Sequence, residues 1–132
     1  MKTIILALFA SLAMHQTASA QGAGTGQEVF GHYCAACHGA EARGDGPMAP
    51  ILLLKPANLR RLSALNDGVF PTARVVMRID GRDPLVAHGA LMPVYGNVFE
   101  GEDTPLKAES GQPIMTSRII VDLVEYLEGL QE

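Results

Sequence analysis

The chain has 132 residues, of which 48% are hydrophobic and 18% charged, and its formal net charge is −4 at pH 7. This composition indicates one globular domain with a small core, of a size that often gains stability from a metal or cofactor. The negative charge argues against nucleic acid as a partner, because nucleic-acid binding selects basic surfaces. It leaves two interpretations open, plain solubility and docking to a basic protein partner.

The first twenty residues differ in character from the rest. Lys2 is followed by an apolar run from Ile4 to Met14 and then by Ala18-Ser19-Ala20, a pattern typical of a secretory signal peptide with a small-residue cleavage site. The apolar run is shorter than the roughly 18 residues that a membrane span needs. We therefore expect residues 1–20 to be removed on export to the periplasm, no stable membrane insertion afterwards, and one domain over residues 21–132.

The next segment predicts a capped helix. Thr25 followed by Glu28 is a capping-box signature, and Val29, Phe30 and Tyr33 then recur at helical spacing. The helix is expected to carry the two cysteines of the chain at its C-terminal end and to stop at Gly39.

The segment Cys34-Ala35-Ala36-Cys37-His38 admits four interpretations. A disulfide closing so small a loop would constrain the unfolded chain little, and a thioredoxin-like redox pair belongs beside a βαβ pattern that this chain lacks. Zinc would find three ligands crowded on one short segment and no second cysteine pair. C-x-x-C-H indicates covalent haem attachment directly, and its three side chains share one helical face, so haem is the favoured interpretation.

Loops and short helices are expected in the middle of the chain. Residues 40–56 are rich in glycine and proline, and their apolar part, Ile51 to Leu54, is expected to pack on something flat. Asn58 could cap a short helix through Leu65. A second helix is predicted from Pro71 to a stop at Gly81, with an apolar stripe formed by Val75, Val76 and Ile79.

The final helix is the clearest. It is expected to be capped by Thr116 or Ser117 and to bury a stripe made of Ile119, Ile120, Leu123, Val124, Leu127 and Leu130. The polar, acidic segment 97–111 is expected to be a surface excursion. No stretch shows the sustained alternation that predicts strands, so the fold class expected is all-α.

These motifs together resemble class I c-type cytochromes. The resemblance covers residues 24–131 and depends most on four motifs: CAACHG, GDGP, LMPVYG and VEYLEGL. It implies a cytochrome c-like fold, with the N- and C-terminal helices crossing and loops wrapped around one haem. It further implies that Cys34 and Cys37 carry the thioether bonds and that His38 is the proximal ligand.

The same resemblance assigns other positions. The carbonyl of Pro47 is implied to accept a hydrogen bond from the ligand histidine, as partners of metal-bound histidines do. Gly26, Phe30 and Tyr126 match the positions where the terminal helices cross. Tyr95 stands where family members often have tryptophan, a residue that this chain lacks.

The second axial ligand decides between electron transfer and ligand chemistry. The four methionines after residue 20 are Met48, Met77, Met92 and Met115. Met92 precedes a proline in a loop that is far enough from His38 along the chain for the segment between them to wrap around the haem. Met92 also matches the ligand of the family. It is therefore the predicted sixth ligand. The alternatives are that Met92 only fills space and that His88 binds, which would give a much lower potential. His32 lies on the same helix as the cysteines and so cannot reach the opposite face of the haem.

Two further expectations follow. The haem propionates need partners if they are buried. The first candidates are Arg60, Arg61 and Lys55, and the next are Arg78 and Arg82. The predicted function is a small exported electron carrier without enzymatic activity, which exchanges single electrons with a redox protein donor and acceptor. A dedicated haem subunit of a periplasmic dehydrogenase or oxidase and an open-site haem enzyme or gas-binding protein remain as alternatives.

Overall fold

A computed structural model describes residues 18–84 and 92–132, with side chains from residue 25 onward. Within these two ranges, four α-helices and one β-hairpin lie in the order α1 (Ala18–Tyr33), α2 (Ala35–His38), α3 (Thr72–Asp80), β1 (Asp103–Lys107), β2 (Pro113–Ser117) and α4 (Arg118–Gly129). Two short 3-10 helices, Ala49–Ile51 and Leu59–Arg61, lie between α2 and α3. This mostly helical architecture confirms the expected fold class.

The contact between α1 and α4 organises the core. Phe30 on α1 is 2% exposed, and its ring centroid lies 5.6 Å from that of Tyr126 on α4. The α4 stripe is confirmed at its centre, where Ile120, Leu123, Val124 and Leu127 are buried, while Ile119 and Leu130 at its ends are partly buried. Burial of this stripe supplies most of what holds so short a helix in place, because isolated helices of this length are marginal in water.

The predicted stop of α3 and the predicted cap of α4 are both present. Pro71 precedes α3 and Gly81 ends it in the left-handed conformation, with φ of 89°. Ser117 caps α4 by accepting a hydrogen bond from the Ile120 N–H at 3.4 Å. Asn58 also caps, accepting from the Arg60 N–H at 3.0 Å, but the helix that it starts ends at Arg61 and is shorter than expected.

The start of α1 differs from the prediction. The helix begins at Ala18, so Thr25 lies inside it and is not its N-cap. Alanine has the highest helix propensity, and the three alanines at 18, 20 and 23 favour continuing the helix upstream. The predicted signal peptide lies outside the described residues except for Ala18–Ala20, which belong to α1.

The expectation that the chain contains no strands is wrong for residues 103–117. β1 and β2 pair antiparallel, with Asp103 opposite Ser117 and Lys107 opposite Pro113. Prolines within both strands obscure the pattern in the sequence, but each strand has an open edge, where proline is tolerated. Glu109 in the turn anchors this hairpin, because its Oε2 accepts a hydrogen bond from the Ala73 N–H at the start of α3 at 3.0 Å.

Within residues 18–84 and 92–132, no helix combines the length and the apolar character that crossing a membrane requires.

The α1–α4 crossing depends on a missing side chain. A Cβ added at Gly26 would lie 2.1 Å from the Asp122 main-chain oxygen and 2.8 Å from the Tyr126 Cβ. These atoms belong to the facing helix and cannot move without separating the two helices.

We predict that Gly26→Ala lowers the free energy of unfolding by about 1–3 kcal/mol, the usual cost of overpacking, measured by urea unfolding. Gly31→Ala on the same helix is the control, because a Cβ added at Gly31 would meet no atom of the facing structure within 4 Å. Replacing this exposed helical glycine should raise stability by ~0.5–1 kcal/mol. Equal effects of the two substitutions would contradict a tight crossing.

Candidate functional site

One cavity of about 680 Å³ lies between the helices. It is bounded by the end of α1, α2, residues 52–62, α3, residues 92–95 and α4. Phe30, Val75, Ile79, Leu123 and Leu127 contribute apolar walls. Its size falls within the range typical of cofactor sites, which are mostly apolar with a few placed polar groups.

The cysteine–histidine motif lies at one side of this cavity. Cys34, Cys37 and His38 all line it, and the two cysteines are not joined by a disulfide. The helix is interrupted between α1 and α2 at Cys34, where the Cys37 N–H donates to the Cys34 carbonyl at 3.1 Å. Gly39, with a positive φ of 82°, ends α2 after His38 as predicted.

Burial is the main influence on the pKa of the Cys34 thiol. Removal from water, followed by the proximity of Cys37, raises the pKa of Cys34 to about 11. The thiol is therefore neutral near pH 7, as expected for a sulfur that faces an apolar cavity.

The His38 ring is held by a main-chain oxygen. Its Nδ1 lies 3.0 Å from the Ala57 carbonyl oxygen. A carbonyl can only accept, so Nδ1 carries the hydrogen and Nε2 keeps its lone pair for a metal.

This bond corrects the acceptor assigned to Pro47. The turn that contains Pro47 packs behind α2, where Gly46 N–H donates to the Cys37 carbonyl and Met48 N–H donates to the Ala36 carbonyl. These contacts satisfy carbonyl groups that the end of a helix leaves unpaired. They hold the turn against the backbone of α2, whereas Ala57 lines the cavity with His38.

Met92 also lines the cavity, together with Pro93 and Tyr95. The other three methionines after residue 20 do not line it, and two of them, Met48 and Met115, are 41% and 46% exposed. The rival ligand His88 lies outside the described residues. His32 is exposed, and its ring packs edge-on against Tyr33.

The basic residues divide into two groups. Lys55 and Arg78 line the cavity, as does Arg74, which was not among the residues predicted from the sequence. Arg78 is also paired with Asp83 at 2.9 Å. Arg74 and Arg78 are four residues apart on α3, a spacing that places both on one helical face. Arg60 pairs with Glu132 at 2.6 Å and Arg82 pairs with Asp80 at 2.6 Å, and neither lines the cavity, nor does Arg61.

The apolar segment that was expected to form a wall does so in part. Leu52 and Leu54 line the cavity, while Ile51 and Leu53 are 73% and 91% exposed. Leu54 is itself 69% exposed, so it lies at the rim of the cavity, next to the exposed Ile51 and Leu53.

An aromatic cluster closes the cavity near Met92. The Tyr95 ring stacks on Phe99 at 5.3 Å, and both rings meet Tyr33 edge-on. The Tyr95 hydroxyl donates to the Tyr33 carbonyl at 3.1 Å. Burial raises the pKa of Tyr95 above its usual value, so this hydroxyl remains a hydrogen-bond donor at neutral pH.

Comparison with known proteins identifies the family. The family model named Cytochrome c matches residues 23–131. The chain belongs to the cytochrome c family. Neither the curated proteins nor the solved structures gave a match.

The cavity fits the covalently bound haem c of this family. Two cysteines and a histidine with one nitrogen available line the same apolar space, and Cys34 and Cys37 fit thioether attachment. Three basic side chains and no acidic one line the cavity in the described part of the chain, which suits a cofactor with two carboxylates. In residues 18–84 and 92–132, no cluster of three or more His, Cys, Asp or Glu side chains could hold a metal ion, so the zinc interpretation gains no support.

We expect Arg74→Gln to lower the reduction potential by ~20–40 mV. Removing a cation near the cofactor favours the more positive ferric state, and an exposed charge contributes about 0.5–1 kcal/mol. Potentiometric titration measures the shift. Arg82→Gln is the matched control, because Arg82 is paired with Asp80 away from the cavity. An equal shift in both variants would show that Arg74 acts only through net charge.

Proposed function

We propose that this cytochrome c is an exported mono-haem electron carrier whose axial ligands are His38 and Met92. The observation that supports the proposal most strongly is that Met92 lines the same cavity as Cys34, Cys37 and His38. Methionine ligation raises the potential relative to a second histidine, and the potential decides which redox protein donors and acceptors such a carrier can serve.

His38 would hold its position through its own hydrogen bond. The Ala57 carbonyl fixes the tautomer and the plane of the ring, and such a bond raises the basicity of a ligand imidazole. Because both axial positions would be filled, little would rearrange between the oxidised and reduced states.

Haem supplies one-electron Fe³⁺/Fe²⁺ chemistry when bound. The protein contributes exclusion of water by the apolar walls, which include Phe30, Ile79, Leu123 and Leu127. Low polarity around the iron stabilises the less charged ferrous form, and so raises the potential.

Partners would dock beside the cavity on Ile51, Leu53 and Leu54, which are 73%, 91% and 69% exposed. Three exposed apolar side chains from one short segment suit a small, brief redox interface. The signal-like residues 1–20 support export to the periplasm, where donor and acceptor would be met.

The same exposed surface supports a second candidate, a permanent haem subunit of a larger dehydrogenase or oxidase, in which Ile51, Leu53 and Leu54 would be covered. Size-exclusion chromatography of the protein from its native source distinguishes the two. A carrier elutes near the mass of one chain, and a subunit elutes with its enzyme.

The ligand assignment predicts the behaviour of Met92→Ala. The variant should lose the far-red iron–sulfur charge-transfer band of the ferric protein and bind carbon monoxide when reduced. Its potential should fall by on the order of 100 mV, a fraction of the ~0.8 V that axial ligands span. Absorption spectra and potentiometry provide the measurements.

Met115→Ala is the control, because this exposed methionine on β2 does not line the cavity. It should leave the band and the potential unchanged. A far-red band that survives in Met92→Ala would exclude Met92 as the ligand.

A further inference from the structure

Tyr95 connects two parts of the chain that lie far apart in sequence. Its hydroxyl donates a 3.1 Å hydrogen bond to the Tyr33 carbonyl, and Tyr33 immediately precedes Cys34. Tyr95 is also three residues after Met92, and Pro93 between them restricts the backbone. One side chain therefore links the segment of the predicted sixth ligand to the segment that fits haem attachment.

The helix break at Cys34 explains why the Tyr33 carbonyl is available. In a continuous α-helix the Cys37 N–H would donate to the Tyr33 carbonyl, four residues earlier. Here the Cys37 N–H donates to the Cys34 carbonyl instead, at 3.1 Å. The Tyr95 hydroxyl donates to the Tyr33 carbonyl in place of the Cys37 N–H.

Other contacts fix the position of Tyr95 itself. Its N–H donates to the Ile79 carbonyl at 2.8 Å, and its carbonyl accepts from the N–H groups of Val98 and Phe99 at 2.9 Å each. The ring stacks on Phe99, with 12° between the planes. A side chain held at its backbone and its ring can transmit a constraint through its hydroxyl.

We propose that Tyr95 is a positioning residue that keeps the Met92 sulfur on the iron by fastening the Met92 segment to the Tyr33 carbonyl. The inference rests on the proposed ligation by Met92. Losing the hydroxyl should leave the ring packing intact and let the Met92 segment move away more easily. An external ligand that competes with methionine for ferric iron should then bind more tightly.

The test is imidazole binding to the ferric, haem-loaded protein, followed by absorption. Tyr95→Phe should bind imidazole about fivefold more tightly than wild type, the factor that corresponds to the ~1 kcal/mol of one net hydrogen bond. Its far-red band should weaken. Tyr95→Trp, which keeps a ring N–H donor, should lie between wild type and Tyr95→Phe, and it serves as the test variant if Tyr95→Phe does not accumulate with haem.

Tyr126→Phe is the matched control, since Tyr126 packs its ring on Phe30 outside the cavity. It should leave the imidazole affinity within twofold of wild type. Equal affinities in wild type and Tyr95→Phe would overturn the proposal even if the unfolding midpoint fell, because the hydroxyl would then serve stability alone. Equal tightening in Tyr126→Phe would overturn it too.

Failure of the ligation itself is recognised separately. A wild-type protein without the far-red band would remove Met92 as the ligand, and the role of Tyr95 with it, before any variant is compared. A wild-type band with no response to Tyr95→Phe would overturn the role of Tyr95 and leave the proposed function standing.

Discussion

The close approach of α1 and α4 at Gly26 is the constraint on which the rest of the structure depends. Because a Cβ at Gly26 would lie 2.1 Å from the Asp122 oxygen, the two helices meet backbone to backbone. Cys34 directly follows the end of α1, while Leu123 and Leu127 of α4 form part of the opposite cavity wall. The crossing therefore sets the distance between the haem-attachment motif and the wall that it faces.

Gln131 and Glu132 contact the segment 59–63, which follows Ala57 at the cavity. Gln131 donates from Nε2 to the Leu59 carbonyl at 2.8 Å and accepts from the Ser63 N–H at 2.9 Å. Glu132 pairs with Arg60, whose guanidinium lowers the pKa of that carboxyl. These contacts fix the turn that follows Ala57, the residue whose carbonyl orients His38. The proximal hydrogen bond thus depends on residues more than 70 positions later in the chain.

The parts that sequence predicted best are local. The C-x-x-C-H motif, the Gly81 stop, the Ser117 cap and the α4 stripe each depend on residues a few positions apart, and each has a periodic or capping signature. The family resemblance added the cytochrome c fold. The partner of His38 was misassigned, because it depends on the path of a loop across 19 positions that periodicity does not encode. The hairpin was missed because its prolines resemble breakers, and Arg74 was missed because its role appears only once α3 faces the cavity.

The central claim is that His38 and Met92 close both axial positions of one haem, and the spectrum of the wild-type exported protein tests it most directly. Ferric and ferrous absorption would be recorded into the far red, before and after carbon monoxide. The account predicts an iron–sulfur charge-transfer band in the ferric protein and no response of the ferrous protein to carbon monoxide. A missing band with ready carbon monoxide binding would contradict it and show an open iron suited to catalysis or sensing.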